Sequence, residues 1–170
     1  AASGAVGQIV GQLAKIAGCR KVVGLAGTPE KVADLKELYG YDVGIDYKQD
    51  DGNAVLKEAC PNGVDVYFDN VGGEILDAVL TRINRKARII ICGAISQYNN
   101  TTPVQGPKNY LSLLVNRARM EGIVVFDYAD RYPVAVAEMA GYLKDGRMKS
   151  REDIVEGGVK AFPKTLNKLF

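Results

Sequence analysis

The sequence predicts an α/β fold in which helices cover both faces of a doubly wound parallel sheet. Segments that resemble strands alternate with segments that have the apolar spacing of amphipathic helices. The strand-like segments are apolar over nearly their whole length, which is typical of parallel strands buried on both faces. A glycine-rich turn, AASGAVG, opens the first helix. The 170 residues are enough for one domain with a sizeable core.

The first part of the chain carries clear local signals for helix ends. Apolar residues at helical spacing predict a helix over residues 5–17, and Gly18 is its expected stop. Thr28 is the expected N-cap of a second helix, because Pro29 follows at the first helical position, where its missing N–H is not needed. Around these helices we expect strands at residues 21–26 and 43–46 and a further helix near residues 53–59.

The rest of the chain continues the alternation. We expect a strand at 64–69, a helix at 73–83, a strand at 88–92, a polar loop at 96–109, a short helix, a strand at 122–126 and a helix near 131–145. A basic cluster is expected to form the solvated end of the helix at 73–83 and the turn after it; it consists of Arg82, Arg85, Lys86 and Arg88.

The glycine-rich turn is expected to follow a strand, yet it stands at residue 1. In the usual strand order 3-2-1-4-5-6 that first strand is central. We therefore expect the chain to be a fragment of a longer chain, here called the parent protein, with the first strand of the sheet missing. The strands at 21–26 and 64–69 would then face a gap, and residues 1–170 alone would be unstable or prone to aggregation.

Composition excludes several classes of protein. The net charge of +2 and the 25% of charged residues give no indication of a nucleic-acid or membrane partner. Cys19, Cys60 and Cys92 show no CxxC spacing, which favours reduced thiols and a cytosolic location. Histidine is absent, so this chain alone cannot build a Ser-His-Asp triad or a His-ligated zinc site. We expect no metal site.

The glycine-rich turn has the form GxGxxG with alanine at the first position. Gly4 would let the backbone approach a pyrophosphate, and Gly7 would allow close packing of the helix on the sheet. The N-terminus of the helix would supply free N–H groups and a favourable dipole for the anion. Taken alone, the motif fits a tight turn before any helix equally well.

The second motif, GLAGTPEK at residues 24–31, indicates which dinucleotide would bind. An NAD site places an acidic residue at the tip of the second strand, where it holds the ribose hydroxyls. This chain has no acidic residue at the strand tip, and Lys31 lies just inside the next helix. The segment therefore favours binding of a 2′-phosphate over the alternative, an ordinary solvated lysine.

Two more glycine-containing segments follow predicted strands. DNVGG at residues 69–73 follows the strand at 64–69, and CGAISQY at residues 92–98 follows the next one. Ligands of such sheets bind outside the carboxyl ends of the strands. Each segment taken singly is also explained as a turn.

Together these segments resemble the zinc-free branch of the medium-chain dehydrogenase/reductases, in particular the prostaglandin and leukotriene reductases and curcumin reductase-like enzymes. The resemblance covers essentially the whole chain. It is carried by AASGAVGQIVGQLAK (1–15), GTPEK (27–31), DVYFDNVGGEILD (65–77), ICGAISQYN (91–99) and RMEGIVVFDY (119–128). It implies a Rossmann-type, zinc-independent oxidoreductase that uses NADP(H) to reduce the carbon–carbon double bond of a small-molecule enone, and the cysteine pattern predicts that it is cytoplasmic.

The resemblance also implies the residues of the cofactor site. The pyrophosphate would contact Gly4, Ala5, Val6 and Gly7, and the 2′-phosphate would contact Lys31 and Tyr47. Further cofactor contacts are implied for Asn70, Cys92, Gly93, Ala94, Ile95, Ser96, Gln97 and Tyr98, and the nicotinamide would be bordered by Ile123, Val124 and Val125. NADPH would deliver hydride to the β-carbon of the enone.

Tyr98 is the best candidate in this chain for a catalytic donor, although a tyrosine that only contacts cofactor or packs the loop remains open. Cys92 is expected to be a small buried residue. Departures from the family, namely an inserted Lys21 and the doubled tyrosine of Tyr39-Gly40-Tyr41, are expected at the surface.

The resemblance implies an NADP-binding domain over residues 1–150, lacking its first strand. Residues 151–170 would begin the return to a missing catalytic domain. A homodimer stays open. Two alternatives to enone reduction are also open, a quinone reductase and a non-catalytic NADP(H)-binding protein.

Overall fold

The computed structural model describes residues 1–49 and 52–167, and parallel strands alternate with helices along it. The strands are β1 (Val23–Ala26), β2 (Val43–Asp46), β3 (Val64–Asp69), β4 (Ile83–Ile91) and β5 (Arg119–Gly122). The helices are α1 (Ala5–Ile16), α2 (Pro29–Glu37), α3 (Gly52–Ala59), α4 (Gly73–Leu80), α5 (Leu111–Asn116), α6 (Tyr132–Lys144) and α7 (Phe162–Leu166). The predicted α/β class is confirmed.

The strands form two sheets of parallel strands, and an edge of one sheet lies opposite an edge of the other across a cleft. One sheet pairs β1 with β2, and the other has the order β3-β4-β5. The cleft has a volume of about 640 Å³ and is lined by residues of β1 on one side and of β3 on the other. The glycine-rich turn closes one part of it, since the Ala2 N–H donates to the Leu25 carbonyl of β1 at 2.9 Å. The cleft lies where the sequence predicts a gap in the sheet.

The core has two clusters of apolar side chains. One contains residues from both sheets, including Leu80 of α4 and Ile89 of β4 together with Ile45 of β2. On the β1 side, Leu35 of α2 packs with Val22, Ala26, Tyr39 and Tyr41.

The expectation that Tyr39 and Tyr41 lie at the surface is wrong: they are 4% and 7% exposed. The Tyr41 ring occupies space that glycine leaves open, because a Cβ built on Gly11 would lie 2.0 Å from that ring. The Tyr41 hydroxyl then donates to the Gly7 carbonyl at 2.7 Å. Tyr41, which lies between α2 and β2, is therefore bonded to the first turn of α1. Lys21 is exposed, as expected.

Two predicted boundaries differ from the structure. The helix predicted at 73–83 ends at Leu80, and β4 already begins at Ile83. Arg85, Lys86 and Arg88 are therefore strand residues that stay exposed, in a strand whose register against β3 shifts between Val64 and Val66. Lys86 takes a left-handed conformation with φ of 64° in this irregular stretch.

The last strand is shorter and earlier than predicted. β5 ends at Gly122, where the predicted strand at 122–126 should begin, and a 3₁₀ helix starts at Val125. The apolar run at residues 123–126 suggested a strand, but its side chains lie beyond the sheet.

Among the described residues, no helix combines the length and apolar character needed to cross a bilayer.

Candidate cofactor-binding site

The glycine-rich turn presents the N-terminus of α1 without an internal cap. Gly4 is the N-cap residue in extended conformation, and it supplies no side chain to bond the first turn. The N–H groups of Ala5, Val6 and Gly7 have no acceptor among the residues that the structure describes. The first turn also lacks an acidic residue, so the positive end of the helix dipole is not neutralised locally. This end of α1 is suited to an anion.

Gly7 is needed for the turn to fold back on the helix. A Cβ at this position would lie 2.3 Å from the Ala1 carbonyl oxygen and 2.6 Å from the Ala2 Cα. These close neighbours belong to the turn itself, whereas the sequence argument placed them in the sheet. Any larger residue at position 7 would therefore push the turn away from the N–H groups of α1.

The tip of β1 is covered by two side chains from the segment after β2. A Cβ on Gly27 would lie 3.0 Å from the Tyr47 hydroxyl oxygen and 3.2 Å from the Lys48 Cε. The Thr28 side chain caps α2 by accepting the Lys31 N–H at 3.3 Å, as predicted, which puts Lys31 in the first turn. Lys48 was not among the predicted site residues, although it directly follows Tyr47 at the end of β2.

The turn after β3 is organised by Asp69, whose side chain is fully buried. Its Oδ1 accepts three hydrogen bonds, from the Tyr67 hydroxyl at 3.0 Å and from the N–H groups of Val71 and Gly72 at 2.8 and 3.0 Å. Burial, followed by the negative charge of Asp69, raises the pKa of Tyr67. Gly72 has a φ of 67°, a conformation that favours glycine. Asp69 is the first residue of the DNVGG motif, but the sequence alone predicts no role for it.

The loop after β4 is bonded to this turn at successive residues. The Asp69 carbonyl accepts the N–H groups of Cys92 and Gly93, at 2.8 and 3.1 Å. The Asn70 carbonyl accepts the Ile95 N–H at 3.0 Å. The Val71 carbonyl accepts both the N–H and the hydroxyl of Ser96, at 3.1 and 2.5 Å. The DNVGG turn (69–73) and the CGAISQY loop (92–98) are therefore held together by hydrogen bonds as one unit.

Gly93 leaves a space that two predicted site residues border. A Cβ there would lie 2.9 Å from the Tyr98 hydroxyl and 3.3 Å from the Asn70 Oδ1. The Tyr98 hydroxyl accepts the Ala94 N–H at 3.2 Å, so its own proton can be donated elsewhere, and the side chain is 67% exposed. The expectation that Cys92 is buried is wrong: it is exposed because β4 ends at Ile91 and the loop begins with Cys92.

The remaining predicted residues continue the same edge beyond β5. The Ile123 N–H donates to the Ile91 carbonyl at 3.0 Å, which places Ile123 next to the start of the Cys92 loop. Val124 and Val125 are more than half exposed, at 54% and 60%. The predicted residues therefore follow the carboxyl ends of β2, β3, β4 and β5 or lie at the N-termini of α1 and α2.

In residues 1–49 and 52–167, no three His, Cys, Asp or Glu side chains form a group that could hold a metal ion.

Known proteins with similar sequences and structures include reductases and other oxidoreductases. A 2-alkenal reductase (NADP(+)-dependent) of Nicotiana tabacum is 46% identical over 100% of this chain and 49% of the relative. The crystal structure of CurA in complex with NADPH from Vibrio vulnificus is 42% identical, with a TM-score of 0.91 over 99% of this chain and 51% of that chain. Escherichia coli quinone oxidoreductase complexed with NADPH is 25% identical, with a TM-score of 0.73 over 92% of this chain and 46% of that chain.

The chain spans about half the length of the curated relatives it matches. A family model described as zinc-binding dehydrogenase matches residues 5–141. This match and the relatives confirm the resemblance that the sequence motifs predict. The chain belongs to the zinc-binding dehydrogenase family, within the medium-chain dehydrogenase/reductases.

Proposed function

We propose that this chain is the NADP(H)-binding part of an oxidoreductase that reduces the carbon–carbon double bond of enones. The observation that carries the proposal is the joining of the predicted cofactor segments at one edge of the sheets, in a chain that superposes on CurA in complex with NADPH with a TM-score of 0.91. The identity to a 2-alkenal reductase, 46%, supports an enone or alkenal as the substrate class. The identity of 25% to a quinone oxidoreductase gives weaker support to a quinone.

The residues at this edge fit a dinucleotide phosphate. The pyrophosphate would receive the N–H groups of Ala5, Val6 and Gly7, whose approach depends on the small residues of the turn. The 2′-phosphate would lie between Lys31 and the Tyr47 hydroxyl. Lys48 would add a second positive charge there, since its side chain also reaches over Gly27.

The nicotinamide half would lie along the Asn70 turn and the loop from Cys92 to Tyr98, with Ile123, Val124 and Val125 at its border. When bound, the cofactor supplies the hydride. The exposed loop residues would then limit how the substrate approaches. Tyr98 would donate a hydrogen bond to the substrate oxygen, which is supported by its hydroxyl accepting the Ala94 N–H and keeping its own proton. A tyrosine that only orders the loop is the alternative for this residue.

The assay that tests this proposal compares substrates and cofactors in the parent protein. With NADPH, we expect reduction of an alkenal or enone to be faster than reduction of a quinone, and turnover with NADH to be slower than with NADPH. Faster turnover of a quinone would favour quinone reduction. Tight NADPH binding without turnover of either substrate would favour a non-catalytic binding protein.

Further properties of the parent protein are proposed from the same resemblance. Residues 1–150 would form the cofactor domain, and residues 151–170 would lead to a substrate domain. The absence of histidine supports activity without zinc, for which elemental analysis and chelation of the purified protein are the test. A cytosolic location and a homodimer stay predictions, testable by fractionation and by light scattering.

A further inference from the structure

We propose that Asp69 is a positioning residue for the nicotinamide half of the cofactor. This inference rests on the proposed function, and it concerns a residue that the motif comparison left without a role. Asp69 lies at the carboxyl end of β3 and supports both loops to which that half of the cofactor is assigned. Its side chain is fully buried, so it acts through its neighbours and does not contact the cofactor itself.

The Asp69 carboxylate fixes the shape of the Asn70 turn. One oxygen accepts the N–H groups of Val71 and Gly72 and the Tyr67 hydroxyl, while the other, Oδ2, has no hydrogen-bond partner among the described residues. Hydrogen bonds to an ionised acceptor are roughly twice as strong as neutral ones. A buried carboxylate with this arrangement holds the turn more rigidly than a neutral side chain would.

The main chain of the same residue fixes the second loop. The Asp69 carbonyl receives the N–H groups of Cys92 and Gly93, and the two carbonyls that follow it receive Ile95 and Ser96. Movement of the Asn70 turn would therefore carry the Cys92 loop with it. Both borders of the Gly93 space, the Asn70 amide and the Tyr98 hydroxyl, depend on this connection.

The adenosine half of the site shares no hydrogen bond with this network. Among the described residues, none links Asp69, or the turn that it holds, to the segments 27–31 and 47–48. A ligand that binds only through those segments should not respond to changes at residue 69. 2′,5′-ADP is such a ligand, because it carries the adenosine and the 2′-phosphate but no nicotinamide.

The test measures the dissociation constants of NADPH and of 2′,5′-ADP for variants of the parent protein, by calorimetry. Asp69→Leu removes both side-chain acceptor oxygens and should weaken NADPH binding by about 30-fold or more, because the buried Gly72 N–H and the partly buried Val71 N–H lose their partner. Asp69→Asn keeps one acceptor oxygen without the charge and should weaken NADPH by about 3- to 10-fold. Binding of 2′,5′-ADP should change by less than about 2-fold in both.

Asp42→Ala is the matched control for a general loss of stability. Asp42 accepts the Val22 N–H at 2.6 Å and bonds Lys15, away from the proposed loops. This variant should melt at lower temperature with the ratio of the two dissociation constants unchanged. Melting temperatures of all variants are measured alongside, and Asp69→Asn carries the test if Asp69→Leu does not fold.

Two results would overturn the inference. Equal weakening of NADPH and 2′,5′-ADP would mean that Asp69 only stabilises the fold, and unchanged NADPH binding in both variants would mean that the turn does not need its carboxylate. Failure of the proposed cofactor site looks different, because the unmodified protein would then bind neither ligand. If the unmodified protein binds NADPH but turns over no enone, only the proposed activity fails, and the test of Asp69 still stands.

Discussion

On the β3–β5 side of the cleft, the loops after the strands are tied together by backbone hydrogen bonds, whereas on the β1–β2 side the site consists mainly of side chains. Asp69, Asn70 and Val71 bond the loop after β4 at successive carbonyls. At the tip of β1, by contrast, the candidate groups are the side chains of Lys31, Tyr47 and Lys48 around Gly27. Backbone geometry should therefore govern binding of the nicotinamide half, and charge should govern binding of the 2′-phosphate.

The cleft that separates the two sides gives the largest expected effect. Residues 1–170 alone should aggregate or melt without a sharp transition and should bind NADPH poorly. Among the described residues, no strand pairs with the β1 and β3 edges that face the cleft. Each buried N–H or C=O that stays unpaired costs about 1–3 kcal/mol. A few such losses rival a typical domain stability of about 5–15 kcal/mol.

Scanning calorimetry and an NADPH titration of residues 1–170 measure this effect. A sharp, reversible melting transition together with micromolar binding of NADPH would contradict it. That result would mean that the two sheets hold together without a further strand in the cleft.

A charge reversal should break the β1–β2 side alone. Lys31→Glu in the parent protein should reverse the preference for NADPH over NADH, because a lost contact to a charged group is worth about 1.5–3 kcal/mol and the new carboxylate repels the 2′-phosphate. The measurement is the ratio of the dissociation constants of the two cofactors. Lys36→Glu, on the last turn of the same helix, is the control and should leave the ratio unchanged. Equal affinities for the two cofactors before any substitution would contradict the assignment of Lys31.

A change of geometry should break the glycine-rich turn. Gly7→Ala should weaken NADPH binding and reduce the free energy of unfolding by about 1–3 kcal/mol, because its Cβ would stand 2.3 Å from the Ala1 carbonyl oxygen. Gly141→Ala is the matched control within α6, where a Cβ meets nothing within 4 Å. It should raise stability by about 0.5–1 kcal/mol. Unchanged binding in Gly7→Ala would show that the turn tolerates displacement.

Features that depend on neighbours in the sequence could be predicted, and features that depend on distant contacts could not. The Thr28 cap at the start of α2 and the ends of α1 and α6 follow from local residue types, and the structure bears them out. The early start of β4 could not be foreseen, because its basic residues occupy an irregular stretch whose shape is set by pairing with β3.

The same limit applies to the candidate site. Its residue types were readable from motifs, because glycines and lysines at strand ends carry a local meaning. The bonds between the Asn70 turn and the Cys92 loop join residues more than 20 positions apart, so no local pattern indicates them. The burial of Tyr41 also depends on distant residues, since the space for its ring is left by Gly11 on α1 and Gly24 on β1.

Loss of the hydrogen bond between Tyr41 and Gly7 has the smallest expected effect, and it tests the packing on the β1–β2 side of the cleft. Tyr41→Phe in the parent protein should lower the free energy of unfolding at pH 7 by about 1 kcal/mol, because it removes one buried hydrogen bond and keeps the ring.

Burial raises the pKa of Tyr41 to about 12, against an ordinary value near 10. The unfolded chain therefore loses this proton first, so the stabilisation is complete below pH 10 and is lost as the pH rises toward 12. Denaturant titrations between pH 8 and 12 should show a shallower alkaline loss of stability in Tyr41→Phe than in the unmodified protein. Parallel profiles would mean that the Tyr41 hydroxyl does not stay protonated and bonded to the first turn of α1.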